Sequence, residues 1–404
     1  MEKLIGVLGI AVFIGMAWLL SNNRKQVNWK LVAYGIGLQL ALAFLIFKVP
    51  GGMYVCEKLG DGVQALLDYA VEGAAFVVGE EFAKGKFIFA VRIGASIIFI
   101  SALTSLAYYL GVMQRVVRVF ARLFEKTMGV SGPEALSTAA EIFIGQVESQ
   151  VLIKPYIPRL TTSELLGVMA AAMATISGSA LVAYVAMGIN PTYLIMASFM
   201  TAPSAIVMAK IMYPETKKVA YENADLSVQV AVNPIDALAQ GATQGARIAA
   251  NVMIMLVAAI AFVALVNGGL GWVLAKFGVS WQIQDIFGVL FMPIAWLTGI
   301  PWEECFHAGR LMAVKTILNE YMAYGELAPV LAGKGAYALS AKAQMIISVA
   351  LCGFANLGSI AINIGGLSEM APERRGEIAK LGFKALIAAT LASWLTACIA
   401  GLLF

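Results

Sequence analysis

The sequence predicts an all-α integral membrane protein. About eight transmembrane helices, two re-entrant helical hairpins in an inverted repeat and interfacial helices account for it. Three observations carry this. The 404 residues are 60% hydrophobic and only 13% charged, with a mean hydropathy of +0.83; soluble domains run at roughly 45–50% apolar and about 25% charged. Long apolar segments recur along the chain. Two further apolar regions are each cut by a polar cluster that carries carboxylates.

Crossing about 30 Å of hydrocarbon takes roughly 20 helical residues. Segments near 3–21, 30–49, 87–112, 163–187, 191–212, 246–274, 343–367 and 378–403 meet that length. The opening "MEKLIGVLGIAVFIGMAWLLSNNRK" has a barely basic start and no small-residue cleavage site, so it reads as a first span. Residues 53–82 separate Glu57, Asp61, Asp68 and Glu72 among apolar residues, as an interfacial amphipathic helix does. Residues 132–158 break at Gln146–Gln150, and 283–324 break at "TGIPWEECFHAGR"; both read as re-entrant hairpins.

Basic residues follow the first span (Arg24, Lys25, Lys30), the third (Arg115, Arg118, Arg122, Lys126) and the fifth (Lys210, Lys217, Lys218), and precede the last (Arg374, Arg375, Lys380, Lys384). The positive-inside rule puts these clusters in the cytoplasm and both termini outside, in the periplasm of a bacterial cell. The hairpins then enter from opposite sides. "TISGSALVAYVAMG" (175–188) and "ANLGSIAINIGGL" (355–367) align through a shared Gly-Ser, and each follows a polar-broken hairpin. Inverted halves with broken helices are a secondary-transporter pattern, the substrate binding where the halves meet.

The net charge of +4 gives no reason to invoke nucleic acid. Cys56, Cys305, Cys352 and Cys398 lack ligand spacing and read as small buried hydrophobes. With His307 the only histidine, a His-based metal site is nearly excluded.

Four constellations offer chemistry. In "EIFIGQVESQVLIKP", Gln146 and Glu148 lie at the expected tip of the first hairpin, where freed backbone groups and side chains suit a small polar solute; the alternative is an ordinary cytoplasmic loop. Asn319-Glu320 places an acid in amphipathic sequence, where a solvated helix face is the alternative. "CGFANLGS" weakens a helix and presents Asn356 and Ser359 at depth, where a plain kink or helix contact is the alternative. Glu303, Glu304 and His307 form an acid/base group on one turn, or, with Arg310, an ion-pair network that holds the hairpin; the network is preferred.

At this point "GQVES", "PETKK", "LNEYMAY", "ALCGFANLGSIAINIGGLSEMAPERR" and "TACIAGLLF" resemble the concentrative nucleoside transporters, from the "SNNRK" turn to the C-terminus. The resemblance implies a homotrimer whose scaffold holds mobile transport domains, working by alternating access. It implies that Gln146, Val147 and Glu148 face the nucleobase, that Glu320, Asn356 and Ser359 take ribose hydroxyls, and that Phe354 lines the pocket. On the chain this corresponds to scaffold helices and the interfacial helix (1–126), a first transport repeat (127–212), a linker with a scaffold helix (213–276) and a second transport repeat (277–404).

Two departures bear on the coupling ion. Sodium-coupled members of the family have Asn where this chain has Glu141, and Thr where it has Val147. The carbonyl-bearing frame Ile144, Thr175 and Ile176 resembles theirs. Val147 has no oxygen to lend; Glu141 could ligate sodium, but its charge buried beside Val147 is neutralised most cheaply by a proton, which favours proton over sodium coupling. Ser149-Gln150 also replaces the family's usual Ala-Pro, which bears on base preference.

The expectation is therefore a cation-coupled importer of nucleosides such as uridine or adenosine, embedded in lipid in the inner membrane. No cofactor is expected beyond the coupling ion, and no metal beyond sodium. The rival readings are an integral-membrane hydrolase or transferase built on Glu303, Glu304 and His307, and a channel or non-transporting scaffold.

Overall fold

The computed structural model describes residues 2–85, 89–217, 231–278 and 280–404. Lys218 of the third basic cluster, residues 87 and 88 of the third expected span and residues 218–230 of the expected linker lie outside the described residues.

The first helices follow the apolar segments. They are α1 (Glu2–Leu19), α2 (Trp29–Phe47), capped by Asn28 whose side chain accepts from the Leu31 amide, and α4 (Phe89–Tyr109). Between α2 and α4 lies α3 (Gly52–Val78), over the stretch expected to be interfacial; it buries the stripe Cys56, Gly60, Leu67 and Ala70. Helix α5 (Val112–Met128) is sharply two-faced: Val117, Ala121, Phe124 and Met128 are buried, while the basic residues Arg115, Arg118, Arg122 and Lys126 lie on its more open side.

The first polar-broken region forms α6 (Gly132–Glu141) and the one-turn α7 (Glu148–Val151). The next apolar segment is interrupted: α8 (Thr162–Ala174) opens on a capping box between Thr161 and Glu164, and α9 (Gly178–Ala186) restarts after Thr175–Ser177, with Ser177 as its N-cap. Helix α10 (Pro191–Met212) is unbroken and almost wholly buried. The 41-residue α11 (Pro234–Leu274) is mostly exposed and packs along α4.

The second half repeats this order: α12 (Ile283–Leu297), α13 (Cys305–Ile317), α14 (Glu320–Leu331), a broken pair α15 (Ala341–Leu351) and α16 (Leu357–Met370), and the long buried α17 (Arg375–Leu403). Setting α5–α10 against α12–α17 pairs α6/α7 with α13/α14. This shifts the second hairpin from its expected place. The turn at "TGIPWEECFHAGR" separates α12 from α13, and a second break at Leu318–Asn319 follows. The counterpart of the Glu148 turn is thus the Glu320 turn. Asn319 makes this break by accepting the Met322 amide at 2.9 Å, which starts a new helix.

Six helical segments among the described residues are long and apolar enough to cross a membrane. The other two expected spans are the shorter α1 and the broken α15/α16 pair. Helices α10 and α17 pack together at the centre, with α8 and α15 against them, α1 on α17 and α2 on α10. All four cysteines are buried and free.

Two residues of the basic clusters are engaged inside the fold. Lys210 ends α10 buried, 2.9 Å from the Glu134 carboxylate and 3.1 Å from Ser163 Oγ. Its pairing partner Glu134 comes from the first turn of α6, so an apolar-segment argument places the lysine at a span end but misses its burial. Arg374 donates to the carbonyls of Ile157 and Leu160 at 2.7 Å each, which fastens the segment after α7 to the start of α17.

Candidate functional site

Four helix breaks meet in the interior. Phe354 N–H donates to the Thr175 carbonyl at 3.2 Å, and Gly178 N–H donates to the Phe143 carbonyl at 3.0 Å. The α15/α16 break is thereby tied to the α8/α9 break, and the latter to the turn after α6. Backbone groups that an intact helix would satisfy are used here between elements. Gly353 permits a close approach of the two breaks: a Cβ there would lie 2.3 Å from the Ala174 carbonyl oxygen.

Glu320, at the start of α14, is the centre of one polar group. It is only 3% exposed. Its Oε1 accepts from the Tyr184 hydroxyl at 2.9 Å and its Oε2 from Asn356 Nδ2 at 3.0 Å. Asn356 also caps α16, because its Oδ1 accepts from the Ser359 amide at 3.0 Å. Glu320, Asn356 and Ser359, expected together, are brought together. Tyr184 was missed by sequence reasoning. Its one signal is a lone tyrosine in the apolar α9, since a buried tyrosine hydroxyl normally finds a partner. Its ring packs on Tyr321 and Tyr324, 4.8 and 4.7 Å away.

A second group is built around Asn363 of α16, which is fully buried. Its Nδ2 donates to Gln146 Oε1 at 3.0 Å, and its Oδ1 accepts from Gln150 Nε2 at 2.7 Å. Asn363 lies one turn beyond Ser359 and donates to the Ser359 carbonyl at 3.3 Å, so the two groups adjoin. Gln150 is thus a structural amide here.

Glu148 faces elsewhere. Its carboxylate folds over Gly145, where a Cβ would come within 2.3 Å of Oε2, and Oε1 accepts from Gln244 Nε2 of α11 at 2.8 Å. It borders a cavity of about 320 Å³ lined also by Ser105, Tyr108, Ser177, Ser179 and Gln244.

The coupling-ion candidates cluster around the same turns. Glu141 is buried and accepts a hydrogen bond from Ser149 Oγ. Thr175 Oγ1 donates to the Ala171 carbonyl at 3.0 Å. Ile144, Thr175 and Ile176 are all buried. Val147 turns its methyl groups toward Gly366, where a Cβ would lie 3.0 Å from Cγ1.

The fourth expected constellation, Glu303, Glu304 and His307, does not assemble. Glu304 accepts from the Ser340 amide at 2.9 Å and helps start α15, His307 stacks on Tyr337 with ring centroids 3.8 Å apart, and Glu303 is exposed. Arg310 does form an ion-pair network, but with Asp285 at 3.1 Å and Glu326 at 3.6 Å rather than with Glu303 or Glu304. Glu303 and Glu304 lie in the short turn Trp302–Glu304 that precedes α13.

Comparison with known proteins decides the family. Models described as Na+ dependent nucleoside transporter N-terminus and C-terminus match residues 8–81 and 193–401, and one described as Nucleoside recognition matches 90–190. A "Nucleoside permease NupC" of Helicobacter pylori is 38% identical over 99% of this chain and 98% of its own length. The chain belongs to the concentrative nucleoside transporter family.

An "Uncharacterized transporter" of Haemophilus influenzae is 42% identical, covering 100% of this chain and 98% of that one. "Sodium/nucleoside cotransporter 1" of Mus musculus is 36% identical over all of this chain, which spans 64% of the mouse protein. Among solved structures, CNTnw in an inward-facing substrate-bound state matches with a TM-score of 0.96 at 41% identity, covering 100% and 98% of the two chains. Concentrative nucleoside transporters are membrane transporters rather than enzymes, which removes the hydrolase reading of Glu303, Glu304 and His307.

Proposed function

We propose that this protein is a proton-coupled nucleoside symporter of the inner membrane, importing its substrate by alternating access. The observation that carries the substrate reading is the buried Glu320, reached by the Tyr184 hydroxyl and the Asn356 amide. A carboxylate has about four lone-pair sites, so two remain for the two hydroxyls of a ribose. Asn356 and Ser359 complete the ribose side, and Phe354 lines the pocket. With substrate bound, Gln146, Val147 and Glu148 take the base, such as the uracil of uridine or the adenine of adenosine, Glu148 leaving its place against Gln244. Helices α6/α7 and α13/α14 serve as the two re-entrant hairpins. The mobile part rides on a scaffold that includes α4 and α11, three copies forming a homotrimer with termini in the periplasm.

The coupling ion follows from Glu141. An ionised carboxylate held in the interior costs several kcal/mol unless it is neutralised. Ser149 gives it one hydroxyl, and Val147 contributes no oxygen. A proton neutralises Glu141 without further ligands; sodium needs several oxygen ligands at once, from a frame that here is mostly carbonyls. The sodium reading draws on the matching models' description as Na+ dependent and on the mouse relative's name.

The test is uptake of labelled uridine and adenosine into proteoliposomes under separate proton and sodium gradients. Accumulation should follow an inward proton gradient and ignore sodium at fixed pH. Accumulation driven by sodium alone, indifferent to a protonophore, overturns proton coupling and makes Glu141 a sodium ligand or a structural acid. Absence of saturable uptake and of counterflow overturns the transport reading.

A further inference from the structure

Helix α11 packs closely along α4. Gly241 and Gly245, one turn apart, let the two backbones touch: a Cβ at Gly241 would lie 2.6 Å from the Ser101 carbonyl oxygen, and one at Gly245 2.8 Å from Ile98 Cα. These contacts fix the rotation of α11. Gln244 precedes Gly245 by about 100° around the helix and so points beside α4, into the cavity under the turn after α6. There its Nε2 donates to Glu148 Oε1 at 2.8 Å. Gln240, one turn earlier, lines the same cavity but gives its amide to Asp236 at 2.9 Å. Of the substrate residues named above, Glu148 is the one with a bond to α11.

A hydrogen bond to a carboxylate is among the stronger neutral-to-charged contacts. Here it keeps the Glu148 carboxylate turned toward α11, away from the Asn363 and Glu320 groups, so a nucleobase N–H must draw it from the Gln244 amide. We propose that Gln244 is a positioning residue that holds Glu148 against α11 until a nucleobase with a free N–H replaces its amide. Binding then exchanges one donor for another: the base N–H bonds to Glu148 and the Gln244 amide is released to the cavity. Substrate binding and release of the hairpin from α11 become one event. This rests on Glu148 as a ligand of the base.

The experiment is calorimetry on the full-length protein with two ligands, uridine and 3-methyluridine, whose base lacks the N3–H. Three proteins are compared: wild type, Gln244→Leu and the neighbouring Thr243→Val. Loss of a competing hydrogen bond should tighten uridine binding about three- to tenfold in Gln244→Leu. 3-Methyluridine should change less than about twofold, and Thr243→Val should match wild type for both. If Gln244→Leu does not purify as a single species, Gln244→Met removes the amide with the length kept and gives the same comparison. Uridine affinity that is unchanged or weaker on loss of the amide overturns the proposal, as does an equal gain for both ligands. Failure of wild type to bind either ligand instead rejects the nucleoside reading itself.

Discussion

Replacing Glu320 by Gln tests the ribose side of the site with little damage to its frame. The amide is close to isosteric with the carboxylate. Its Oε1 still accepts from Asn356 Nδ2, and its Nε2 can donate to the Tyr184 hydroxyl oxygen, so both structural contacts at 2.9 and 3.0 Å keep a partner. What disappears is the charge and the second acceptor for the diol. Hydrogen bonds to charged groups contribute about 1.5–3 kcal/mol each. At about 1.4 kcal/mol per factor of ten, uridine affinity should fall roughly ten- to one-hundredfold. Calorimetry with uridine and 2′,3′-dideoxyuridine isolates the effect, because the second ligand has no diol to lose. Its affinity, already weak, should be the same for wild type and variant, as in a double-mutant cycle. Unfolding temperature in detergent should stay within a few degrees. An equal loss for both ligands would mean that Glu320 acts through the fold, and no loss for uridine would remove it from the site.

Three further outcomes are expected. Glu134→Gln leaves buried Lys210 with only the more exposed Glu215, 3.8 Å away, and should cost up to about 3–5 kcal/mol, read as a lower unfolding temperature, whereas the double change Glu134→Leu with Lys210→Met should recover most of it. Gly353→Ala drives a Cβ to 2.3 Å from the Ala174 carbonyl; the crossing of the two broken helices must open, so thermal unfolding should shift down by an amount matching about 1–3 kcal/mol and uridine uptake should fall with it. Glu141→Gln should abolish the response of uridine uptake to a proton gradient while counterflow exchange continues, and a retained gradient response would release Glu141 from coupling.

Local sequence patterning accounts for most of the elements and for several of the polar residues. Apolar length and helix period are local properties, so the segments that became α2, α4, α10, α11 and α17 were legible, and so was the break between α6 and α7. Buried polar residues in an apolar run stand out for the same reason, which is how Gln146, Glu148, Glu320 and Asn356 were found. Capping was harder. Asn319 looked like half of a polar pair; its work is to accept the Met322 amide and set the second hairpin's turn, and a cap is recognised only once the helix start is known.

The partners of these residues come from helix packing. Tyr184 reaches Glu320 across 136 residues of chain, Gln244 reaches Glu148 across 96, and Asn363 reaches Gln146 across 217. Packing also separated Glu303, Glu304 and His307, which adjacency in sequence had grouped, and buried Lys210, which hydropathy had put at a water-facing end. Hydropathy reports the mean surroundings of a segment, and periodicity reports which face of a helix is covered. Neither specifies which distant side chain covers it, because that depends on how whole helices pack, and packing is fixed by close contacts such as those of Gly241, Gly245 and Gly353 between elements far apart in the chain.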